Sequence, residues 1–209
     1  MPSSKQMTVQ NLAYQLDHVV DEIVETFRDF TDGPRVMMLI NRAKDGGHNK
    51  EEQRLIKTAI TYSTEQFRRS LRELIILKHF DERPLRIYLS VNRRNLKKVI
   101  RYVRESLLQA DYADEEERNN TYQKLLRSPK HFLMQPKCTD ESYFILDIDN
   151  EEGFDRMGEA LRMMEEVGAE EMLRYPTKNG WHFVVKPFNP NLWLGPGEIK
   201  KDGLLLLSY

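Results

Sequence analysis

The sequence predicts a two-layer α+β fold: an antiparallel sheet with helices on one face, preceded by a helical or αβ N-terminal region. Three observations carry this expectation. Apolar residues recur at helical spacing in several long segments. Shorter apolar runs, bounded by turn residues, read as strands. Residues 142–188 then read strand, helix, strand, strand.

The elements follow in order. Residues 8–30 predict an amphipathic helix, with Leu12, Leu16, Val19, Ile23 and Phe27 on its apolar stripe, closed by "TDGP". "RVMMLI" is a strand or a buried helix, and "NRAKDGGHNK" a polar loop. Ser63 and Gln66 form a capping-box pattern, followed by Phe67, Leu71, Leu74 and Lys78 along one helical stripe. "LRIYLSVN" reads as a strand and "NLKKVIRYVRESLLQA" as a helix that buries Leu96, Val99, Ile100, Val103 and Leu107. "DYADEEERNN" is an acidic connection that ends that helix or starts the next.

"SYFILDID" reads as a strand. Asn150 is the expected N-cap of a helix carrying Phe154, Met157, Leu161 and Met164, and Gly168 suits its C′ position. "EEMLRYPTK" and "WHFVVKPF" flank Asn179-Gly180, the strongest short hairpin signal. This order starts a ferredoxin-like or RNA-recognition-motif-like unit. Turn signals and a final apolar strand complete the chain. The expected division is residues 1–82, mainly helical, and 83–209, one α/β unit.

Composition narrows the function. The 209 residues are 40% hydrophobic and 31% charged, with a net charge of −1, which excludes a uniformly basic nucleic-acid coat. The single cysteine, Cys138, rules out a disulfide framework and suits a reducing cytoplasm as a lone buried thiol. The N-terminus lacks an apolar signal region, and the longest aliphatic run, "GLLLLSY", is too short to cross a bilayer. The expectation is a cytoplasmic protein with no membrane partner. "KDGGHNK" is not a phosphate-binding loop of the G-x-x-x-x-G-K-[ST] type, and His18, His48, His79 and His131 lack zinc-site spacing.

Asp147 and Asp149 alternate with Leu146 and Ile148, so both carboxylates share one strand face, with Cα atoms roughly 7 Å apart. Such oxygen ligands suit Mg²⁺ or Mn²⁺, completed by water and substrate phosphate. In the hairpin, a two-residue turn at Asn179-Gly180 places Thr177 opposite His182. Trp181, Phe183 and Val185 then form the apolar face. His182, Val184 and Lys186 lie on the other, with Tyr175 and Thr177, and this face is expected to be open. The ordinary alternative is a solvated histidine beside an acidic turn.

The order of a hydrophobic run, D-x-D, a helix and a hairpin carrying T-x-x-G-x-H before hydrophobics and Pro resembles the archaeo-eukaryotic primase superfamily. The residues that carry it are "FILDID" (144–149) and "PTKNGWHFVVKP" (176–187), about a quarter of the chain. The hairpin and its "KPFNP" ending also resemble small phage proteins. The primase resemblance implies a nucleotidyl-transfer site on a modified RNA-recognition-motif sheet. It implies metal ligation by Asp147 and Asp149, and contact between His182 and nucleotide phosphates, with Thr177, Lys178 and Lys186 assisting. It also implies a third acidic residue at a strand end, for which Asp202 in "KKDGLLLL" is the candidate. Arg93, Arg94, Lys97, Arg101 and Arg104 form a basic stripe suited to a nucleic-acid backbone, or simply a solvated helix face.

The expected function is therefore metal-dependent nucleotidyl transfer of the primase-polymerase type. Its partners would be a nucleoside triphosphate and single-stranded or primed nucleic acid. The alternatives are a noncatalytic nucleotide- or single-strand-binding module on the same fold, and a metal-dependent nuclease.

Overall fold

The computed structural model describes residues 4–41, 54–127, 130–150 and 156–208. The fold is α+β, with two antiparallel four-stranded sheets. Two compact units divide it: residues 1–89 with 206–209, and residues 90–205. Among the described residues no helix is long and apolar enough to cross a membrane.

The first unit opens with α1 (Ser4–Thr26), followed by a 3-10 turn, Arg28–Phe30. Ile23 and Phe27 of the predicted stripe are buried, with Val20, Val24 and Phe30 beside them, while Val19 is exposed. "RVMMLI" is strand β1 (Arg35–Asn41). It pairs antiparallel with β2 (Arg54–Thr61), a strand the sequence pattern did not reveal. The polar loop predicted at 41–50 lies outside the described residues beyond Asn41. Helix α2 (Thr64–Phe80) starts as expected. Ser63 Oγ accepts from the Gln66 amide at 3.3 Å, and the Gln66 side chain accepts from the Tyr62 amide at 2.9 Å. Phe67, Leu71 and Leu74 are its buried residues.

Strand β3 (Leu85–Ser90) pairs with β1, and the C-terminal strand β8 (Leu204–Ser208) lies beside β3. This differs from the expected boundary at 82/83. "LRIYLSVN" and the final apolar strand complete the first sheet and do not belong to the motif-bearing one. Their apolar residues match a strand in either sheet, so composition alone could not assign them.

In the second unit, α3 (Leu96–Asp111) is capped by Asn95, whose side chain accepts from the Lys98 amide at 2.9 Å. The predicted buried stripe is only partly correct. Leu96 and Ile100 are exposed, and Ala110 is the buried residue of the helix. Helix α4 (Glu115–Arg127) grows from the acidic connection, with Asp114 Oδ1 accepting from the Glu117 amide at 2.8 Å. The short α5 (Lys130–Leu133) and a 3-10 turn at Pro136–Cys138 follow. Cys138 is free and buried.

The second sheet has strand order β5-β6-β4-β7. Strand β4 (Phe144–Asp149) leads through α6 (Met157–Val167) to β5 (Glu171–Pro176), and β6 (Gly180–Val185) inserts between them. β7 (Glu198–Lys200) takes the other side of β4. This is a split β-α-β arrangement with a fourth strand at the edge, the topology expected of the RNA-recognition-motif-like unit. In place of a second crossover helix, residues 186–197 contain only a 3-10 turn, Pro190–Leu192.

One face of this sheet forms a core of Phe144, Leu146, Ile148, Phe183 and Val185 against Ala160 and Met164 of α6. Phe188, Trp193 and Ile199 pack around it. Gly168 ends α6 at φ +67°, where its missing Cβ removes the left-handed penalty. The start of α6 departs from expectation. Arg156, not Asn150, precedes its first turn, and Asn150 Oδ1 accepts from the Arg156 amide at 3.3 Å. Phe154, predicted on this helix, lies outside the described residues.

Candidate functional site

The site grows from the pairing of β4 with its two neighbours. Asp147 stands opposite His182 on β6 and opposite Glu198 on β7, while His182 stands opposite Tyr175 on β5. Cross-strand partners share a sheet face. One row of side chains therefore crosses the sheet: Tyr175, His182, Asp147, Glu198. Lys200, opposite Ile145, lies on the same face one step along.

The predicted register of the hairpin needs correction. Tyr175, not Thr177, stands opposite His182, and Pro176 stands opposite Trp181. The turn lies one residue earlier than predicted: the Thr177 amide bonds the Gly180 carbonyl at 2.8 Å, with Lys178 and Asn179 between them. The slip displaces each partner by two residues, so side chains keep their predicted faces. Gly180 does not have positive φ. Its role is close approach: a Cβ there would lie 2.0 Å from the Ile148 carbonyl oxygen.

The expected open face is also corrected. Ile145 and Val184 are fully buried, and Tyr175 and His182 are buried as well. The histidine is thus an internal, hydrogen-bonded group. Its Nε2 lies 2.9 Å from Asp147 Oδ1, and its Nδ1 lies 2.8 Å from the Tyr175 hydroxyl. A carboxylate only accepts, so Nε2 carries the hydrogen. Nδ1 shares a hydrogen bond with the Tyr175 hydroxyl, which can donate to it or accept from it. Both ring nitrogens are engaged, and the ring orientation is fixed.

The second Asp147 oxygen, Oδ2, accepts from the Lys200 ammonium. That ammonium also lies 3.8 Å from Glu198 Oε2. Burial alone would push the Asp147 carboxyl upward. The hydrogen bonds from His182 and Lys200, with their nearby charge, outweigh it and hold the group well below the usual carboxylate range. Asp147 is therefore anionic at neutral pH and compensated on both oxygens.

The other predicted residues are distributed unevenly. Asp149 is exposed at the end of β4, opposite Gly180. The loop carrying Thr177 and Lys178 abuts this end, where the Asn150 amide bonds the Asn179 carbonyl at 2.8 Å. Lys186 follows β6 at its far end, beyond the Val185–Phe144 pair, and forms an ion pair with Glu170 at 2.6 Å. Asp202 is not presented as a ligand. Arg94 grips both of its oxygens at 2.8 and 3.0 Å, and Asn92 adds a bond at 3.2 Å. Glu198 is the acidic residue facing Asp147, and its place on a three-residue strand left no periodic signal to find it by.

The basic stripe is also divided. Arg94 is buried in its pair with Asp202, a structural role that removes it from the proposed nucleic-acid contacts. Arg93 pairs with Glu141, and Arg101 with Glu105. Lys97 and Arg104 are exposed on α3.

Among the described residues no group of three or more His, Cys, Asp or Glu side chains is gathered to hold a metal ion. Mg²⁺ is commonly held by one or two carboxylates plus substrate phosphate. Asp147 and Asp149 share one face of β4, and both Asp147 oxygens are engaged, by His182 and by Lys200. No family model, curated protein or solved structure matches this chain.

Proposed function

We propose that the second unit carries out metal-dependent nucleotidyl transfer of the primase-polymerase type, using a nucleoside triphosphate and single-stranded or primed nucleic acid. The observation that carries this reading is the pairing of Asp147 with His182 at the centre of a split β-α-β sheet, with Asp149 two residues on. It brings together the two motifs on which the resemblance rests.

Asp147 and Asp149, with oxygens from the substrate phosphate, would hold Mg²⁺ or Mn²⁺ once Lys200 leaves Asp147. The ion, when bound, supplies charge stabilisation to a reacting phosphate. The chain's own contributions are orientation and charge. Tyr175 and Asp147 fix the His182 ring from its two nitrogens, and contact with a phosphate oxygen would require the Nε2 hydrogen to turn from Asp147 to the nucleotide. Lys178, on the loop beside Asp149, adds positive charge where a triphosphate would extend. Lys97 and Arg104 suit a nucleic-acid backbone.

Incorporation of labelled nucleotides, with Mg²⁺ or Mn²⁺ and with single-stranded or primed template, tests the reading. Product in the wild type and none in Asp147→Asn supports it. No product with any metal, from folded protein, removes it.

A second reading has its own support. Lys200 and His182 already neutralise Asp147, and Asp202 is committed to Arg94. A site so compensated suits a noncatalytic nucleotide- or single-strand-binding module. Binding of an oligonucleotide that chelator leaves unchanged would favour it, and metal-dependent shortening of the oligonucleotide would instead point to a nuclease.

A further inference from the structure

Helices α3 and α4 form a hairpin in the second unit. α4 folds back on α3: the Tyr122 hydroxyl donates to Asp111 Oδ1 at 3.1 Å, and the Arg118 guanidinium bonds the Ala110 and Ala113 carbonyls at 3.3 and 3.1 Å. The outer side of this hairpin is apolar where a solvated helix face would be polar. Ile100 and Leu108 are 54% and 59% exposed, and Leu126 is 77% exposed. Ile100, Arg104 and Leu108 follow one another at four-residue spacing and form one ridge of α3. Leu108 stands one turn before Asp111, the residue that Tyr122 reaches, and Leu126 stands one turn beyond Tyr122. Both helices therefore contribute to a single face.

Charge is sorted along the same hairpin. Asp114, Glu115, Glu116 and Glu117 crowd the end where the helices join, while Lys97 and Arg101 stand at the start of α3 and Arg127 at the close of α4. All of these residues are exposed. One end is acidic, the other basic, and the apolar ridge lies between them. Such a face is self-complementary. A two-fold axis through the middle of the ridge, near Arg104, lays the acidic end of one hairpin on the basic end of another and packs the two ridges together.

We propose that this face binds a second copy of the chain, with α3 and α4 of two protomers packed as a four-helix arrangement. Ile100, Leu108 and Leu126 leave water at the centre, and Lys97 and Arg101 of each protomer meet Glu115 and Glu116 of the other at the rim. The inference is independent of the nucleotidyl-transfer reading. It touches that reading at one point: Lys97 and Arg104 are also the residues suited to a nucleic-acid backbone, so a polyanion competes with the second protomer for them.

The test is sedimentation velocity of the full chain over a concentration series, without nucleic acid. Wild type is expected to pass from monomer to dimer in the micromolar range, and to dissociate more readily as salt is raised. Lys97→Glu with Arg101→Glu reverses the basic end, and Glu115→Lys with Glu116→Lys reverses the acidic end. Each double variant alone is expected to dimerise roughly tenfold more weakly or worse, because two-fold symmetry counts every substitution twice. An equimolar mixture of the two is expected to recover a heterodimer near the wild-type affinity, since each reversed end then meets its complement. Loss of fold in either variant could not produce that recovery. A wild type that stays monomeric throughout the micromolar range overturns the proposal. So does a dimer that either double variant retains at wild-type affinity, and so do two weakened variants whose mixture stays monomeric.

Discussion

His182 Nε2 lies 2.9 Å from Asp147 Oδ1 across adjacent strands, and the same ring is held from behind by the Tyr175 hydroxyl at 2.8 Å. The three residues come from β4, β5 and β6 and form one chain of hydrogen bonds within the sheet. A histidine fixed at both nitrogens keeps one tautomer and one direction. Several consequences can be measured.

Tyr175→Phe removes the hydroxyl that orients His182 and leaves a buried ring nitrogen without its partner. The fold should survive, with a stability loss of about 1 kcal/mol. Nucleotide incorporation should fall several-fold, because the ring is no longer held. Chemical denaturation and the incorporation assay check the two effects separately. Unchanged activity would mean that Asp147 alone positions the histidine.

Acid stability depends on Asp147. Its folded-state carboxyl lies below its unfolded value, so the unfolded chain binds the proton first as pH falls. The contribution is fully present above about pH 4, the ordinary aspartate value, and is lost as pH drops through the folded-state value. Asp147→Asn in metal-free buffer should therefore flatten the fall of stability below about pH 4. Urea denaturation at a series of pH values checks this. Parallel wild-type and mutant profiles would contradict it.

Arg94 and Asp202 form a buried bidentate pair that Asn92 joins, and Asn92 also bonds the Tyr143 backbone at 2.7 and 3.3 Å. Arg94→Met leaves the Asp202 charge uncompensated and should cost about 3–5 kcal/mol. Removing both charges in Arg94→Met with Asp202→Leu should recover part of that loss. Thermal melts of the single and double variants check it. Nucleic-acid affinity should respond to Lys97→Ala and Arg104→Ala, and to Arg94→Met only through the fold.

Gly180→Ala places a methyl group against the Ile148 carbonyl oxygen and 2.9 Å from the Asn150 amide nitrogen. The β4–β6 pairing must open where Asp149 and the hairpin loop meet. A loss of more than about 2 kcal/mol is expected, as for other backbone clashes at closely packed glycines. Denaturation measures it, and a neutral substitution would show that the strands can separate there without cost.

Much of this arrangement was readable from sequence because strand alternation is robust. Asp147, Asp149 and His182 fell on one face, and a hairpin partner error of two residues leaves that face unchanged. The exact partner, Tyr175 in place of Thr177, depends on how the loop closes and on the approach of Gly180 to β4. Neither leaves a periodic trace. Glu198 and Lys200 sit on a strand of three residues, too short for any pattern to show. Arg94 was read as exposed because arginines usually are, and only the tertiary position of Asp202 allows its burial. The buried face behind His182 was missed for a similar reason. Ile145 and Val184 are single apolar residues between polar ones on that face, a pattern that also fits an exposed strand.

The central claim is that the Asp147–His182 pair receives a nucleoside triphosphate together with a divalent metal ion. Calorimetric titration with a non-hydrolysable nucleoside triphosphate, with and without Mn²⁺, tests it most directly in wild type, His182→Ala and Asp147→Asn. The expected result is binding that Mn²⁺ strengthens in the wild type, weakened roughly tenfold or more in His182→Ala, and no longer responsive to Mn²⁺ in Asp147→Asn. Equal affinity in all three folded proteins, with or without Mn²⁺, would contradict the account.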